Sequence, residues 1–216
     1  MRMRRKPNLS GRMERCRYLL VTEPEKHRGH WLDEFKCDAG VYSELHVELG
    51  CGKGLFSVET AKLYPDALYL GLEKITNVLV IALERAMQEN VQNVRFINRL
   101  ADDLSEFFAP GEISRLYINF CDPWPANRHK KRRLTGSLFL EIYKQVLRPG
   151  GEIHFKTDNL PLFEYSLNEF EHHGFSLSEV TYNLHEKEPV GIMTDYEVKF
   201  HALGIPTHRC VAQHHK

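Results

Sequence analysis

Residues 45–54 read Leu45-His46-Val47-Glu48-Leu49-Gly50-Cys51-Gly52-Lys53-Gly54, a short apolar-rich run that passes without a spacer into three glycines set two apart. A run of this length ending in glycine predicts a buried strand that turns sharply toward a helix. Four further runs, at 67–72, 94–97, 116–120 and 152–155, repeat the theme. Between them apolar residues recur at helical spacing. Ile75, Val78, Leu79, Ala82 and Ala86 fall on one face, as do Leu138, Phe139, Ile142, Tyr143 and Val146, and Leu160, Phe163, Leu167 and Phe170 lead up to a stop at Gly174. Strands alternating with helices predict an α/β fold, a mostly parallel sheet with helices on both faces. Such sheets bind ligands beyond the carboxyl ends of their strands, near the switch in strand order, so the loops after each strand are where function is expected. The stretches 182–189 and 196–203 are expected to form later strands or a cap.

The glycine loop narrows the ligand. Gly50, Gly52 and Gly54 permit positive φ and close backbone approach, and Glu48 precedes them by two residues. A dinucleotide fingerprint needs G-x-G-x-x-G with a pyrophosphate on the helix N-terminus; this loop is G-x-G-x-G beside an acid. A carboxylate there repels a pyrophosphate and attracts a ligand bearing an ammonium and a sulfonium, which favours S-adenosyl-L-methionine over NAD. Glu73 closes the second run in Gly71-Leu72-Glu73, where an acid can accept hydrogen bonds from both ribose hydroxyls; the bland alternative is a helix N-terminal acid. After the third run comes Asn98-Arg99-Leu100-Ala101-Asp102-Asp103, with no clear partner for adenine.

Length and composition fit one domain with a sizeable core, 216 residues at 42% hydrophobic. We divide it into a basic N-terminal extension over 1–40, a candidate flexible arm, and one domain over 41–216. No run of about 18 apolar residues exists, and no apolar stretch of signal type follows the basic start, so a cytoplasmic location is expected. Five scattered cysteines, with no CxxC pair, predict free thiols. The His214-His215 pair has no third ligand at useful spacing, and no metal is expected. Formal net charge is zero, yet Arg2, Arg4, Arg5, Lys6, Arg12, Arg15 and Arg17 crowd the start, and Arg128-His129-Lys130-Lys131-Arg132-Arg133 forms a second cluster. Two basic patches on a neutral body suit a polyanion docking at one place.

The fourth run delivers Cys121-Asp122-Pro123-Trp124-Pro125 directly ahead of that second cluster. Two prolines stiffen the turn and fix the directions of Asp122 and Trp124 at the ligand edge; a rigid aromatic beside a carboxylate suits a flat base bearing hydrogen-bond donors. His129, inside a basic run, reads more readily as a phosphate or surface residue than as a base. Asp158 follows a strand, where substrate contact and helix capping are equally compatible with the bare sequence.

At these residues the chain resembles the bacterial tRNA (guanine-N7-)-methyltransferases. The resemblance rests on Glu48 to Gly54, Gly71-Leu72-Glu73, Asp122-Pro123-Trp124-Pro125 with Arg128 to Leu134, Leu147-Arg148-Pro149-Gly150-Gly151, Thr157-Asp158 and Thr194-Asp195-Tyr196-Glu197, and it spans roughly 45–205. It implies a Rossmann-like, seven-stranded class I methyltransferase fold and methylation of a guanine in the variable loop of tRNA. It implies a cofactor site of Glu48, Gly50, Gly52, Gly54, Glu73, Leu100, Ala101 and Asp122, with Asp122 also catalytic. It implies substrate contacts from Asp158, Thr194, Asp195, Tyr196 and Glu197, to which the loop chemistry adds Trp124, Arg128 and Lys130. Two positions depart from the pattern. Relatives usually carry an acid where Leu100 stands, so adenine is left to the backbone, Asn98 or Asp102. They often carry lysine where Ala126 stands, a contact that passes to Arg128 or Lys130.

Guanine N7 holds an in-plane lone pair, so methyl transfer needs no strong base, and a nearby carboxylate stabilises the positive charge that develops on the purine. Competing readings are a small-molecule or other RNA methyltransferase, a nicotinamide-dependent oxidoreductase, and an RNA-binding scaffold with lapsed catalysis. Monomer and homodimer both remain open.

Overall fold

A computed structural model describes residues 7–37 and 40–215; Arg2, Arg4, Arg5 and Lys6 of the basic start lie outside them. The helices are α1 (Leu9–Arg15), α2 (Trp31–Glu34), α3 (Leu55–Leu63), α4 (Thr76–Gln88), α5 (Leu104–Phe107), α6 (Ser137–Val146), α7 (Leu160–His172) and α8 (Asp195–Ala202). The strands are β1 (Leu20–Val21), β2 (Lys36–Cys37), β3 (Gly40–Val41), β4 (Glu44–Leu49), β5 (Ala67–Leu72), β6 (Val94–Ile97), β7 (Ile113–Asn119), β8 (Leu147–Thr157), β9 (Ser176–Thr181) and β10 (His208–Gln213).

Eight strands form one sheet in the order β1-β6-β5-β4-β7-β8-β10-β9, while β2 and β3 make a separate hairpin. Neighbours from β1 to β8 run parallel; β10 is antiparallel to both β8 and β9. Chain order runs outward from β4 through β5 and β6 on one side, and through β7 and β8 on the other. The switch point therefore lies between β4 and β7, and the carboxyl ends of both strands open there.

The sheet has eight strands where the resemblance implies seven. The additional strand comes from the segment read as an N-terminal extension: Leu20 pairs with Phe96 and Val21 with Ile97, and Leu19 and Val21 are buried. Trp31 from the same segment is buried and donates its indole N–H to the Phe107 carbonyl at 3.0 Å. Arg12 reaches Glu84 of α4 through its Nε at 2.7 Å.

Strand alternation sorts the side chains onto two cores. Leu45, Val47 and Leu49 join Leu68, Leu70, Leu116, Ile118 and Phe155 in a cluster with residues of α6 and α7. On the opposite face Tyr69, Phe96 and Tyr117 pack with α3 and α4. His46 and Glu48 share that second face. Of the stretches expected as late strands or a cap, 196–203 is largely the helix α8, and the closing strand is β10, which the pattern did not mark. Cys16, Cys51, Cys121 and Cys210 are free thiols. No described helix is long and apolar enough to cross a membrane, and no metal-ligating cluster occurs among the described residues.

Candidate active site

The glycines turn as the sequence requires. Gly50, Gly52 and Gly54 all have positive φ, at 80°, 59° and 77°. Gly50 and Cys51 donate their N–H groups to the Leu72 carbonyl, at 2.8 and 2.9 Å, which bends the loop over the end of β5. Their reasons for being glycine differ. A Cβ on Gly50 would meet nothing within 4 Å, and one on Gly52 would meet only the Gly50 oxygen at 4.0 Å, so a side chain there would fill open cradle. A Cβ on Gly54 would stand 2.6 Å from Ala82 Cβ; this glycine lets the head of α3 pack against α4.

The two acids at the strand ends also divide. Glu73 is half-buried and lines a cavity of about 700 Å³, a size that suits a small ligand. Its Oε1 accepts from Ile75 N–H at 2.8 Å and its Oε2 from Gly52 N–H at 3.2 Å, so it also ties the glycine loop to the head of α4. Burial raises its pKa above the usual carboxylate range. Glu48 is 2% exposed and does not line the cavity. Its carboxylate accepts from Ser57 Oγ at 2.5 Å, Asn119 Nδ2 at 3.0 Å and Tyr69 OH at 3.3 Å, while burial raises its pKa too. Three donors converging on Glu48 favour its ionised form against that burial.

Asn119, the last residue of β7, was not singled out in the sequence, and it is the member of this set that lines the cavity. With Nδ2 committed to Glu48, its buried Oδ1 is left with no hydrogen-bond partner among the described residues. A buried acceptor without a donor is costly, and a ligand ammonium is the kind of group that would satisfy it. At the adenine end, Asn98 is spent: its Oδ1 accepts from Thr76 Oγ1 at 2.9 Å and its Nδ2 donates to the Glu73 carbonyl at 2.7 Å. Leu100, Ala101 and Asp102 line the cavity, which leaves the backbone or Asp102 for that role.

Asp122 and Trp124 line the other wall. Phe120 and Trp124 have positive φ, 52° and 41°, which non-glycine residues rarely adopt. Arg133 holds the loop in that shape, donating from Nε to the Pro123 carbonyl at 3.1 Å and from Nη2 to the Trp124 carbonyl at 3.1 Å. The same guanidinium lies 4.3 Å from the Tyr165 ring of α7. Arg132 sits over the Trp124 ring at 4.8 Å. The basic run thus splits: Arg133 faces inward, Lys131 and Arg132 line the cavity, and Arg128 and Lys130 are exposed outside it.

Asp158 is exposed at the end of β8, and the cap of α7 falls to Asn159, whose side chain accepts from Leu162 N–H at 2.9 Å. Of the Thr194–Glu197 group, only Tyr196 lines the cavity. Asp195 pairs with Arg85 Nη2 at 3.3 Å. Thr194 and Glu197 form a reciprocal capping box at the start of α8, and Glu197 is fully buried against Lys156 and His185 rather than placed at a substrate surface. Gly50, Glu73, Leu100, Ala101, Asp122, Trp124 and Tyr196 therefore meet in one cavity; Glu48, Gly52, Gly54, Arg128, Lys130, Asp158, Thr194, Asp195 and Glu197 do not line it. These groups fit S-adenosylmethionine: open space above Gly50, an acid at the end of β5, and the unpartnered Asn119 Oδ1.

The chain is similar to known proteins. A protein-family profile described as putative methyltransferase matches residues 43–210. The chain is 45% identical over 213 residues to a tRNA (guanine-N(7)-)-methyltransferase of Geobacillus thermodenitrificans (strain NG80-2), covering 98% of this chain and 97% of the relative. It is 45% identical over 211 residues to the enzyme of the same name from Geobacillus sp. (strain WCH70), covering 97% and 94%. Among solved structures, the 16S rRNA methyltransferase KamB superposes with a TM-score of 0.62 at 15% identity, over 81% of this chain and 89% of that one. A precorrin-6y C5,15-methyltransferase from Geobacter metallireducens GS-15 gives 0.55 at 15% identity, over 84% and 85%. The structural neighbours share the fold.

Proposed function

Because the chain belongs to the tRNA (guanine-N(7)-)-methyltransferase family, we propose that it transfers a methyl group from S-adenosylmethionine to N7 of a guanine in tRNA, acting in the cytoplasm. The observation that supports the site assignment is a single cavity at the switch point that joins Glu73 from the end of β5 to Asp122 and Trp124 beyond β7.

When bound, S-adenosylmethionine supplies an electrophilic methyl on a positive sulfur. The open space at Gly50 would leave room for it, Glu73 would take the ribose hydroxyls, and Asn119 Oδ1 would take the ammonium. Because guanine N7 carries an in-plane lone pair, the residues of the site would have to orient the two reactants and would not have to take a proton. Asp122 accepts hydrogen bonds from the base N1 and N2 donors and stabilises the positive charge that grows on the purine. Trp124 provides a flat wall against which a base can stack, and Lys131 and Arg132 offer positive charge to the phosphates around it. Orientation of the two reactants supplies much of the acceleration.

The test is methyl transfer from labelled cofactor to unmodified tRNA, with nucleosides identified by mass spectrometry. Formation of 7-methylguanosine that collapses in Asp122→Asn, while cofactor binding survives, supports both function and site. Cofactor binding with no transfer to RNA would redirect the reading to a small-molecule substrate or lapsed catalysis.

A further inference from the structure

The helix α8 is fastened to the body in an unusual way. Among its eight residues Glu197 alone is buried, while Tyr196 is 60% exposed and Val198 is exposed as well. An amphipathic helix is ordinarily held by an apolar stripe; α8 has none to bury. Its attachments are particular contacts. Asp195 pairs with Arg85, Phe200 stands 5.9 Å from the Phe120 ring, and Glu197 pairs with Lys156.

That last pair is closed on every side. Lys156, 8% exposed at the end of β8, directs Nζ to Glu197 Oε1 at 3.0 Å, Glu197 Oε2 at 3.2 Å and the Ile192 carbonyl at 3.0 Å. An ammonium has three protons, and all three have acceptors. Glu197 Oε1 also takes His185 Nε2 at 2.7 Å, and Oε2 takes the Thr194 N–H at 3.0 Å. His185 Nδ1 accepts from Val190 N–H at 3.0 Å, so the ring proton sits on Nε2 and points at Glu197. No donor or acceptor of this set is left for a ligand. Tyr196, one residue before Glu197, stands at the cavity with its ring exposed.

We infer that Lys156 is a positioning residue for the transfer reaction: through its buried ion pair with Glu197 it fixes α8, and so sets the Tyr196 ring at the cavity wall against the incoming base. A buried, fully bonded ion pair is directional where apolar packing is not, so it suits a short helix that must hold one register. The inference rests on the methyltransferase reading for its catalytic consequence, although its structural part stands apart from substrate.

Two measurements test it. Hydrogen exchange of residues 195–202 in Lys156→Met should quicken relative to the unsubstituted protein, while the strands of the sheet keep their protection. Unchanged exchange in α8 would overturn the inference whatever the substrate. With tRNA, Lys156→Met and Tyr196→Ala should each lower kcat/KM by about tenfold or more, and the double variant should be no worse than the weaker single variant, because the ring is already displaced. Affinity for S-adenosylmethionine should stay within about twofold, which reports that the body is folded. Losses that multiply in the double variant would mean that Lys156 acts independently of Tyr196 and would sink the inference. If Lys156→Met does not fold, Glu197→Gln, which keeps the shape and removes the charge, enters the same cycle with the same expectations. Failure of the unsubstituted protein to form 7-methylguanosine would count against the proposed function, whereas the exchange experiment would still decide the latch.

Discussion

Asn119 Nδ2 donates to Glu48 Oε1 over 3.0 Å, so the acid that precedes the glycine loop reaches the cavity only through its neighbour on the next strand. The carboxylate can accept but not donate, which forces the Asn119 amide to present its oxygen elsewhere.

Glu48→Gln should therefore turn the Asn119 amide over. A donor would then stand where the ammonium is expected, and the dissociation constant for S-adenosylmethionine should rise by about tenfold, the effect of about 1.4 kcal/mol. Isothermal titration decides it; an unchanged constant would mean that Asn119 Oδ1 is not read by the cofactor.

Gly54 and Gly52 should separate under substitution. Gly54→Ala places a Cβ against Ala82 as well as straining a φ of 77°, and should lose about 3 kcal/mol of stability. Gly52→Ala meets only the Gly50 oxygen at 4.0 Å and should lose about 1 kcal/mol, from the strain of a positive φ alone. Urea midpoints at constant m-value compare the two.

His46 makes stability depend on acid. Burial lowers its pKa to about 4; Nε2 faces Glu44 at 2.9 Å, Nδ1 has no partner among the described residues, and Arg115 and His154 add positive charge nearby. A depressed folded value means the neutral ring's stabilisation is complete above the unfolded pKa near 6.5 and disappears as pH falls through about 4. The difference corresponds to about 3 kcal/mol. Thermal unfolding of His46→Phe between pH 7 and pH 4 should show a flatter acid limb than the unsubstituted protein; parallel curves would assign the acid loss to other groups.

Arg133→Lys should keep the charge and lose the two-carbonyl clamp on Pro123 and Trp124, because an ammonium has no planar fork. Turnover on tRNA should fall about tenfold with little change in cofactor affinity. Retained turnover would show that the prolines alone hold the loop.

The parallel half of the fold was legible because β4 to β8 carry compact apolar runs and α4, α6 and α7 carry helical stripes. β10 was not, since its place between β8 and β9 depends on pairing across distant segments. β1 is two residues long and leaves no periodic trace. The cavity residues after each strand were legible from the topology rule. The direction of Glu48 was not, because it depends on which helix covers its face. The basic run was read as one patch, yet the 3-10 turn over Asn127–Arg132 spreads those side chains in different directions. One signal was present and passed over. Thr194-x-x-Glu197 is the pattern of a capping box, which points both side chains at the backbone of their own helix.

The placement of β10 sets an order in time. Its ladder pairs His208 with Thr157 and Arg209 with Lys156, so the strand end that carries Lys156 gains its outer neighbour from the latest strand in the described sequence. During synthesis the glycine cradle and the Asp122 loop exist as sequence long before that neighbour does. In the sheet β9 pairs with β10 alone, so it too has no strand to join until β10 arrives. The cofactor side of the cavity thus rests on strands from the earlier sequence, whereas the strand end that carries Lys156 on the base side waits for the latest of the described strands to be synthesised.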